Sequence, residues 1–247
     1  MSRVIDTLNF DTIYATTYFN NNTFDCYFNL SNPERNVKKI YLRSLEMLIS
    51  WPNVRSVSNL STFSFTLNSV AYSFTLQDNI YTSMTSLITD MNTALTNLLL
   101  PISVAFQLNP SNNNQLQIIL GSTCTFSITS TNFSNYLLNI SGTNSGLTLT
   151  GGSYLLNVDN YILLYIDNLP NRAINQNNIP ASFKIPLNAA SNVVFYSAQN
   201  NEFEQYIDIN DPSLIITSLK IKVIDRFGGL IKSNVHYSMT LGLEKYI

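Results

Sequence analysis

His236 is the only histidine in the chain, so it is the one imidazole available as a general base or as the centre of a Ser-His-Asp arrangement. No Gly-x-Ser-x-Gly elbow accompanies it. It also sits on the polar parity of an alternating run, opposite Tyr237 and Met239, which directs it to solvent or to a subunit neighbour. The acids Glu202, Glu204, Asp208 and Asp211 gather before Pro212. Oxygens converging in this way would suit a calcium ion, yet the spacing matches no EF-hand loop. A carboxylate pair for glycoside hydrolysis is defined by its separation in space, which spacing along the chain does not give. A solvated loop and strand edge explains the four acids equally well. The expectation is therefore no catalytic, cofactor-binding or metal-binding residue, and no cofactor.

The remaining motifs read as structure. Gly151-Gly152 and Gly228-Gly229 are isolated pairs without the glycine spacing or the Lys-Ser/Thr ending that cradles phosphate. Asp225-Arg226-Phe227-Gly228 has the look of a kinase triplet, but its extra arginine and missing partner motifs make it a turn. Five Asn-x-Ser/Thr sequons begin at Asn21, Asn29, Asn59, Asn132 and Asn139, fewer than chance gives in a chain this rich in Asn, Ser and Thr. Cys26 and Cys124 are the only cysteines, too few for a zinc cluster or a disulfide scaffold, and read as reduced, buried thiols. Trp51 beside Pro52 reads as core or interface.

These residues are carried by 247 positions, of which 45% are hydrophobic and only 11% charged, with 13 Lys+Arg against 15 Asp+Glu. A chain this close to neutral does not hold nucleic acid by counterion release. Its apolar runs, such as Leu98–Leu100 and Tyr161–Ile166, are too short to span a bilayer, and the first residues lack the apolar stretch of a signal peptide. The charges are unevenly placed. No lysine or arginine lies between Arg55 and Arg172, where the acids are Asp78, Asp90, Asp159 and Asp167. That shift predicts a neutral insertion in a more charged host: residues 1–58 and 138–247 as host, 59–137 as insertion.

Periodicity supplies the elements. The host reads as strands: Tyr14–Leu30 broken at Asn20-Asn21-Asn22, Val37–Trp51 stopping at Pro52, and Ser218–Ile224 followed by Val235–Leu243, the last two expected to pair as a hairpin around Asp225–Gly229. The insertion reads β-β-α-β-β: a hairpin turning at Asn68-Ser69, a helix with Met84, Leu87, Ile88, Met91, Leu95 and Leu98 on one face, and a hairpin turning within Asn109–Asn114. Thr82 is the expected N-cap of the helix, with Tyr81 stapled to its first turn and Pro101 ending it. A further strand is expected at Cys124–Ile128, and Gly142–Ser153 as an exposed loop. The fold class is mainly β: a single jelly-roll sandwich with an inserted β-β-α-β-β subdomain.

Three stretches go further. They are Asn79–Met84 with the helix segment Met91–Leu95, running on to Asn135-Tyr136-Leu137-Leu138; Tyr161–Ile166 with Asn168-Leu169-Pro170; and Leu219–Asp225 through Gly228-Gly229 to Tyr237–Glu244. In this order they resemble the penton, or minor capsid, proteins of virophages and polinton-like viruses. The resemblance implies a single jelly roll that forms homopentamers at icosahedral vertices and has no active site. It also implies contacts with the major capsid protein, a place in the virion after synthesis in the host cytoplasm, and an outward insertion able to meet a host surface ligand. The rival reading from the residues alone is a soluble carbohydrate-binding jelly roll using some of the 14 tyrosines.

Overall fold

A computed structural model describes residues 5–173, 179–188, 193–198 and 205–246. Along the chain run β1 (Ile5–Asp11), β2 (Thr17–Phe19), β3 (Asn22–Glu34), β4 (Val37–Leu48), β5 (Thr62–Leu67) and β6 (Val70–Thr75). Helix α1 (Met84–Thr96) follows, then β7 (Val104–Asn109), β8 (Asn112–Leu120), β9 (Phe126–Thr129), a π-helical turn at Phe133–Leu137, β10 (Thr143–Asn144) and β11 (Thr148–Ser153). The chain closes with β12 (Tyr161–Ile166), β13 (Arg172–Ala173), β14 (Pro180–Ala181), β15 (Phe183–Pro186), β16 (Val194–Ala198), β17 (Tyr206–Asp208), β18 (Ile216–Asp225) and β19 (Tyr237–Lys245). Two compact units result, Met1–Trp51 with Asp159–Ile247, and Pro52–Val158.

Among the described residues, the first unit holds two large antiparallel sheets beside the small pair β13-β14. One has the order β1-β19-β4-β16, with β17 also on β4, and the other β15-β12-β18-β3-β2. Successive long strands therefore alternate between sheets: β3 lies in one and β4 in the other, β18 in one and β19 in the other. The alternation of Leu219, Ile221 and Val223 with Lys220 and Lys222 buries the first set and turns the second outward. Leu241 and Leu243 of β19, Ile40 and Leu42 of β4, and Phe24, Cys26 and Phe28 of β3 meet them in one core.

The expected hairpin of Ser218–Ile224 with Val235–Leu243 does not form. β18 pairs with β12 and β3, while β19 pairs with β1 and β4. The turn itself is as read: Asp225 Oδ1 accepts the N–H groups of Phe227 and Gly229, and Gly228 takes φ +90°, a conformation that favours glycine. After one bridge, Ile224 with Leu230, the chain is captured by β3. Asn22 Nδ2 donates to Ile231 O, and Thr23 N donates to Ser233 O. Alternation fixes which face of each strand is buried, and leaves the choice of partner to such distant contacts.

The second unit contains the sheets β10-β9-β5-β6 and β11-β8-β7. The β5/β6 and β7/β8 hairpins and the strand at β9 lie where the periodicity puts them. Phe63 stands at the centre, 5.1 to 5.9 Å from the rings of Phe65, Phe74 and Phe106. Each such buried side chain contributes about 2 kcal/mol relative to exposure. Helix α1 buries Met84, Leu87, Met91 and Leu95. Its N-cap is Ser83, whose hydroxyl accepts from Ser86 N, rather than Thr82. It ends at Thr96, before Pro101, as Leu99 enters the left-handed region at φ 49°.

Gly142–Ser153 is not simply a loop. β10 pairs with β9, and β11 pairs with β8. These are polar edge strands, whose Thr and Gly content gives little apolar alternation to read. The same pairing carries the second unit past the expected 59–137 at its C-terminal side, where Leu155 N donates to Leu137 O and Tyr154 N to Asn114 O. At the other side Asn53 Nδ2 donates to both Tyr81 O and Leu156 O.

Candidate functional site

The charged side chains of the first unit are organised by aromatic rings. On the outward face of the β15-β12-β18-β3-β2 sheet, Lys220 Nζ lies 4.0 Å from the Phe19 ring centre and 4.0 Å from Asp167 Oδ2. Lys222 Nζ lies 3.7 Å from the same oxygen and 5.4 Å from the Tyr165 ring centre. Lys184 stands 4.2 Å over the Tyr161 ring, which Arg226 approaches at 5.9 Å. On the other sheet, Lys39 lies 4.1 Å over Tyr206, Arg43 lies 5.1 Å from the Tyr41 ring, and Tyr41 donates to Glu244 Oε2 at 2.6 Å.

Each cation is thereby held against a π face by an attraction of about 0.5–1 kcal/mol at an exposed site. The surface is thus one of lysines and arginines set against tyrosine and phenylalanine rings, with Lys220, Lys222 and Lys39 each within 4.0 Å of a carboxylate as well. The parity of Lys220 and Lys222 around Ile221, and of Tyr161 and Tyr165 around Ile162 and Leu164, is visible in the sequence. Which ring meets which cation depends on strand pairing, and is not.

The residues singled out for chemistry are dispersed. His236 Nδ1 is 3.2 Å from Thr12 Oγ1, a hydroxyl that also contacts the backbone N and O of Tyr237, and the His236 ring packs edge-on against Tyr18 at 5.9 Å. Of the acid cluster, Glu202 and Glu204 lie outside the described residues. Asp208 lies 3.9 Å from Lys39 Nζ. Asp211 closes a turn by accepting from Ser213 N and Oγ, bonds that lower its pKa. Among the described residues, no group of three or more His, Cys, Asp or Glu side chains could hold a metal ion.

The other motifs serve the backbone. Gly151 and Gly152 lie against Asn139, whose carbonyl would stand 2.8 Å from a Cβ at Gly151. Asn132 Nδ2 donates to Ser58 O, and Asn139 Nδ2 to Ser153 O. Cys26 and Cys124 are both free and buried. Cys26 Sγ lies 3.7 Å from the Tyr237 hydroxyl, and burial pushes its thiol pKa up to about 11. Trp51 belongs to the core, edge-on to Phe24 at 5.6 Å.

Sequence reading passed over a polar groove in the second unit. Residues 75–79 and Tyr81 form one wall and Asp90, Thr93 and Ala94 of α1, with Asn97 just after it, the other, of an open groove of about 610 Å³. Tyr81 donates to Asp90 Oδ2 at 2.6 Å, and burial together with that bond raises the phenol pKa. The i, i+3, i+4, i+7 spacing of the helix wall was available as a signal, but it is a polar stripe, which ordinarily means a solvated face.

No protein-family model matches the chain, and no curated protein matches it. Among solved structures, the fold is similar to that of the mavirus penton protein, a virophage protein, seen in the crystal structure of its selenomethionine-labelled form. The TM-score is 0.50 at 9% identity, with 99% of each chain covered. The resemblance to virophage pentons read from the sequence is thus met by a likeness of fold over both units.

Proposed function

We propose that the chain is a structural capsid protein, the penton of a virophage-like particle. It is a jelly roll that assembles as a homopentamer at icosahedral vertices and joins neighbouring major capsid capsomers. Its place is the virion, it is made in the host cytoplasm, and it has no enzymatic role. The observation that carries this reading is the likeness of fold to a penton protein over 99% of both chains. The strand order supports the jelly-roll part of it. With β2 set aside as an extra edge and β16 and β17 counted as one, the sheets read first-eighth-third-sixth and second-seventh-fourth-fifth, as two interleaved Greek keys require.

Function on this reading is assembly. A ring of identical subunits is built from heterologous contacts that close after one turn. Lys39, Lys220 and Lys222, each already within 4.0 Å of a carboxylate, bring less unpaired charge to be desolvated in such a contact. The experiment is mass photometry and electron microscopy of the purified chain, alone and with the major capsid protein, together with mass spectrometry of purified virions. Fivefold rings in either preparation, and the chain in virions, are the expected outcome. A monomer in both preparations, with the chain absent from virions, overturns the proposal.

A further inference from the structure

The groove of the second unit is built rather than incidental. Asn53, 6% exposed, grips Tyr81 by both backbone groups, accepting from its N–H at 2.9 Å and donating to its carbonyl at 2.8 Å. Tyr81, also 6% exposed, sends its hydroxyl to Asp90 Oδ2. A buried amide and a buried phenol thus fix a carboxylate on an otherwise solvent-facing part of the helix. Asp78 on the facing wall is likewise fixed, accepting from Ser56 N at 2.6 Å. Acceptors held in place before binding lose little freedom when a ligand arrives.

Asp90, Thr93 and Asn97 follow one another at i, i+3 and i+7, so a carboxylate, a hydroxyl and an amide share one face of the helix. Gln77 and Asn79 add two further amides from the other wall. The volume lies within the range of small-molecule sites, about 300–1,000 Å³. Polar surface outweighs apolar in the lining, so a wholly apolar ligand would strand its hydrogen-bonding groups. Two carboxylates, in a stretch without lysine or arginine from 56 to 171, repel an anion. Among ligands that are neither apolar nor anionic, the alternation of amides, a hydroxyl and carboxylates over both walls matches a neutral molecule presenting many hydroxyls better than a single positive charge. We infer that this groove binds a neutral glycan, with Asp90 and Asp78 accepting from sugar hydroxyls and Asn97, Gln77 and Asn79 donating to them. The inference extends the vertex reading by giving the second unit a ligand class, and the groove's chemistry stands independently of ring formation.

The test uses the full chain on a printed panel of neutral oligosaccharides and their sialylated counterparts, followed by calorimetric titration with the best-bound neutral oligosaccharide in EDTA. Neutral glycans bind, and sialylation of the same glycan weakens binding by about tenfold or more. Asp90→Asn and Asn97→Ala each weaken binding by about tenfold, the value of one charged or well-placed hydrogen bond. Tyr81→Phe keeps the ring and frees Asp90, so it weakens binding several-fold while circular dichroism shows the fold unchanged. The inference is overturned if no neutral glycan binds, if sialylated forms bind better, if binding needs calcium, or if Asp90→Asn leaves affinity unchanged in a folded protein. Mass photometry of the same preparations separates the two readings: rings without glycan binding sink this one alone, while glycan binding by a chain that is monomeric both alone and with the major capsid protein, and absent from virions, sinks the vertex alone.

Discussion

Trp51 donates its indole N–H to Asp159 Oδ2 at 3.0 Å, across 108 residues of sequence. The two residues are the last of the first unit before the chain departs and the first on its return, and both are buried. The bond therefore clasps the base of the excursion within the first unit. Trp51→Phe keeps the packing against Phe24 and removes the donor, which should cost about 1–3 kcal/mol. Urea unfolding followed by circular dichroism measures it, since Trp51 is the only tryptophan. The Asp159→Asn variant and the double variant complete a cycle whose coupling should be of similar size. Additive effects would show that the clasp is incidental.

A stabilising change is expected at the β5/β6 turn. Leu67 pairs with Val70, and between them Asn68 and Ser69 have φ 46° and 71°. A two-residue turn with both φ positive favours Asn-Gly. Ser69→Gly relieves the left-handed strain and should raise stability by about 0.5 kcal/mol after the added freedom of the unfolded chain is counted. Asn68→Gly should not, because Asn68 Oδ1 accepts from Thr125 N at 3.0 Å. Thermal melts of the two variants are the check, and equal shifts would contradict the assignment of roles.

Asp25 makes stability depend on pH. It is buried, its Oδ1 has no hydrogen-bond partner, and burial raises its pKa, opposed by Lys220 and Lys222 and reinforced by Asp167. A carboxyl raised in the folded state favours folding when protonated. Its contribution is complete below the ordinary aspartate value and is lost as pH rises through the raised one. Melting temperature should therefore gain a component on acidification from neutrality toward that ordinary value. Asp25→Asn should remove this component while the rest of the pH profile persists. An unchanged pH slope in the variant would show that Asp25 does not titrate in this way.

Cys26 should be inert in the native protein. With its thiol pKa near 11, only about a thousandth is thiolate at pH 8, and the sulfur is fully buried as well. Iodoacetamide at pH 8 should leave Cys26 unmodified by peptide mass spectrometry over hours, and label it readily in denaturant. Native labelling at a rate near that of a free thiol would mean that β3 opens locally.

Much of this architecture was legible because it is local. The turn residues Asn68-Ser69, the apolar stripe of α1 and the parity of Lys220 and Lys222 follow from nearest neighbours and periodicity. What was not legible depends on contacts across the fold. β10 and β11 carry too few apolar side chains to reveal strands, and they are strands because β9 and β8 offer them hydrogen bonds. The glycan groove was hidden for a related reason: Asp90 looks like any solvated helix residue until Asn53 and Tyr81, 37 and 9 positions earlier, are seen to hold it.

The crossing from β18 to β19 gives the sharpest test of that distinction. Asn22 is buried, donates to Ile231 O at 2.9 Å, and accepts from Phe24 N and Ser233 N at 3.1 and 2.9 Å. One side chain at the start of β3 thus holds the segment after Ile231 away from β18, where alternation alone would have folded it back. Asn22→Ala strands a buried carbonyl and two N–H groups, and should cost about 2–4 kcal/mol when those penalties are combined. Asn22→Asp retains the acceptor and loses the donor to Ile231, so it should recover part of that loss. Hydrogen exchange at the amides of Ser233 and Phe24 reports the same contact directly. Both should exchange faster in Asn22→Ala, while Phe227 and Gly229, held by Asp225, keep their protection. If all four change together, the turn and the crossing open as one unit and Asn22 is not what separates them.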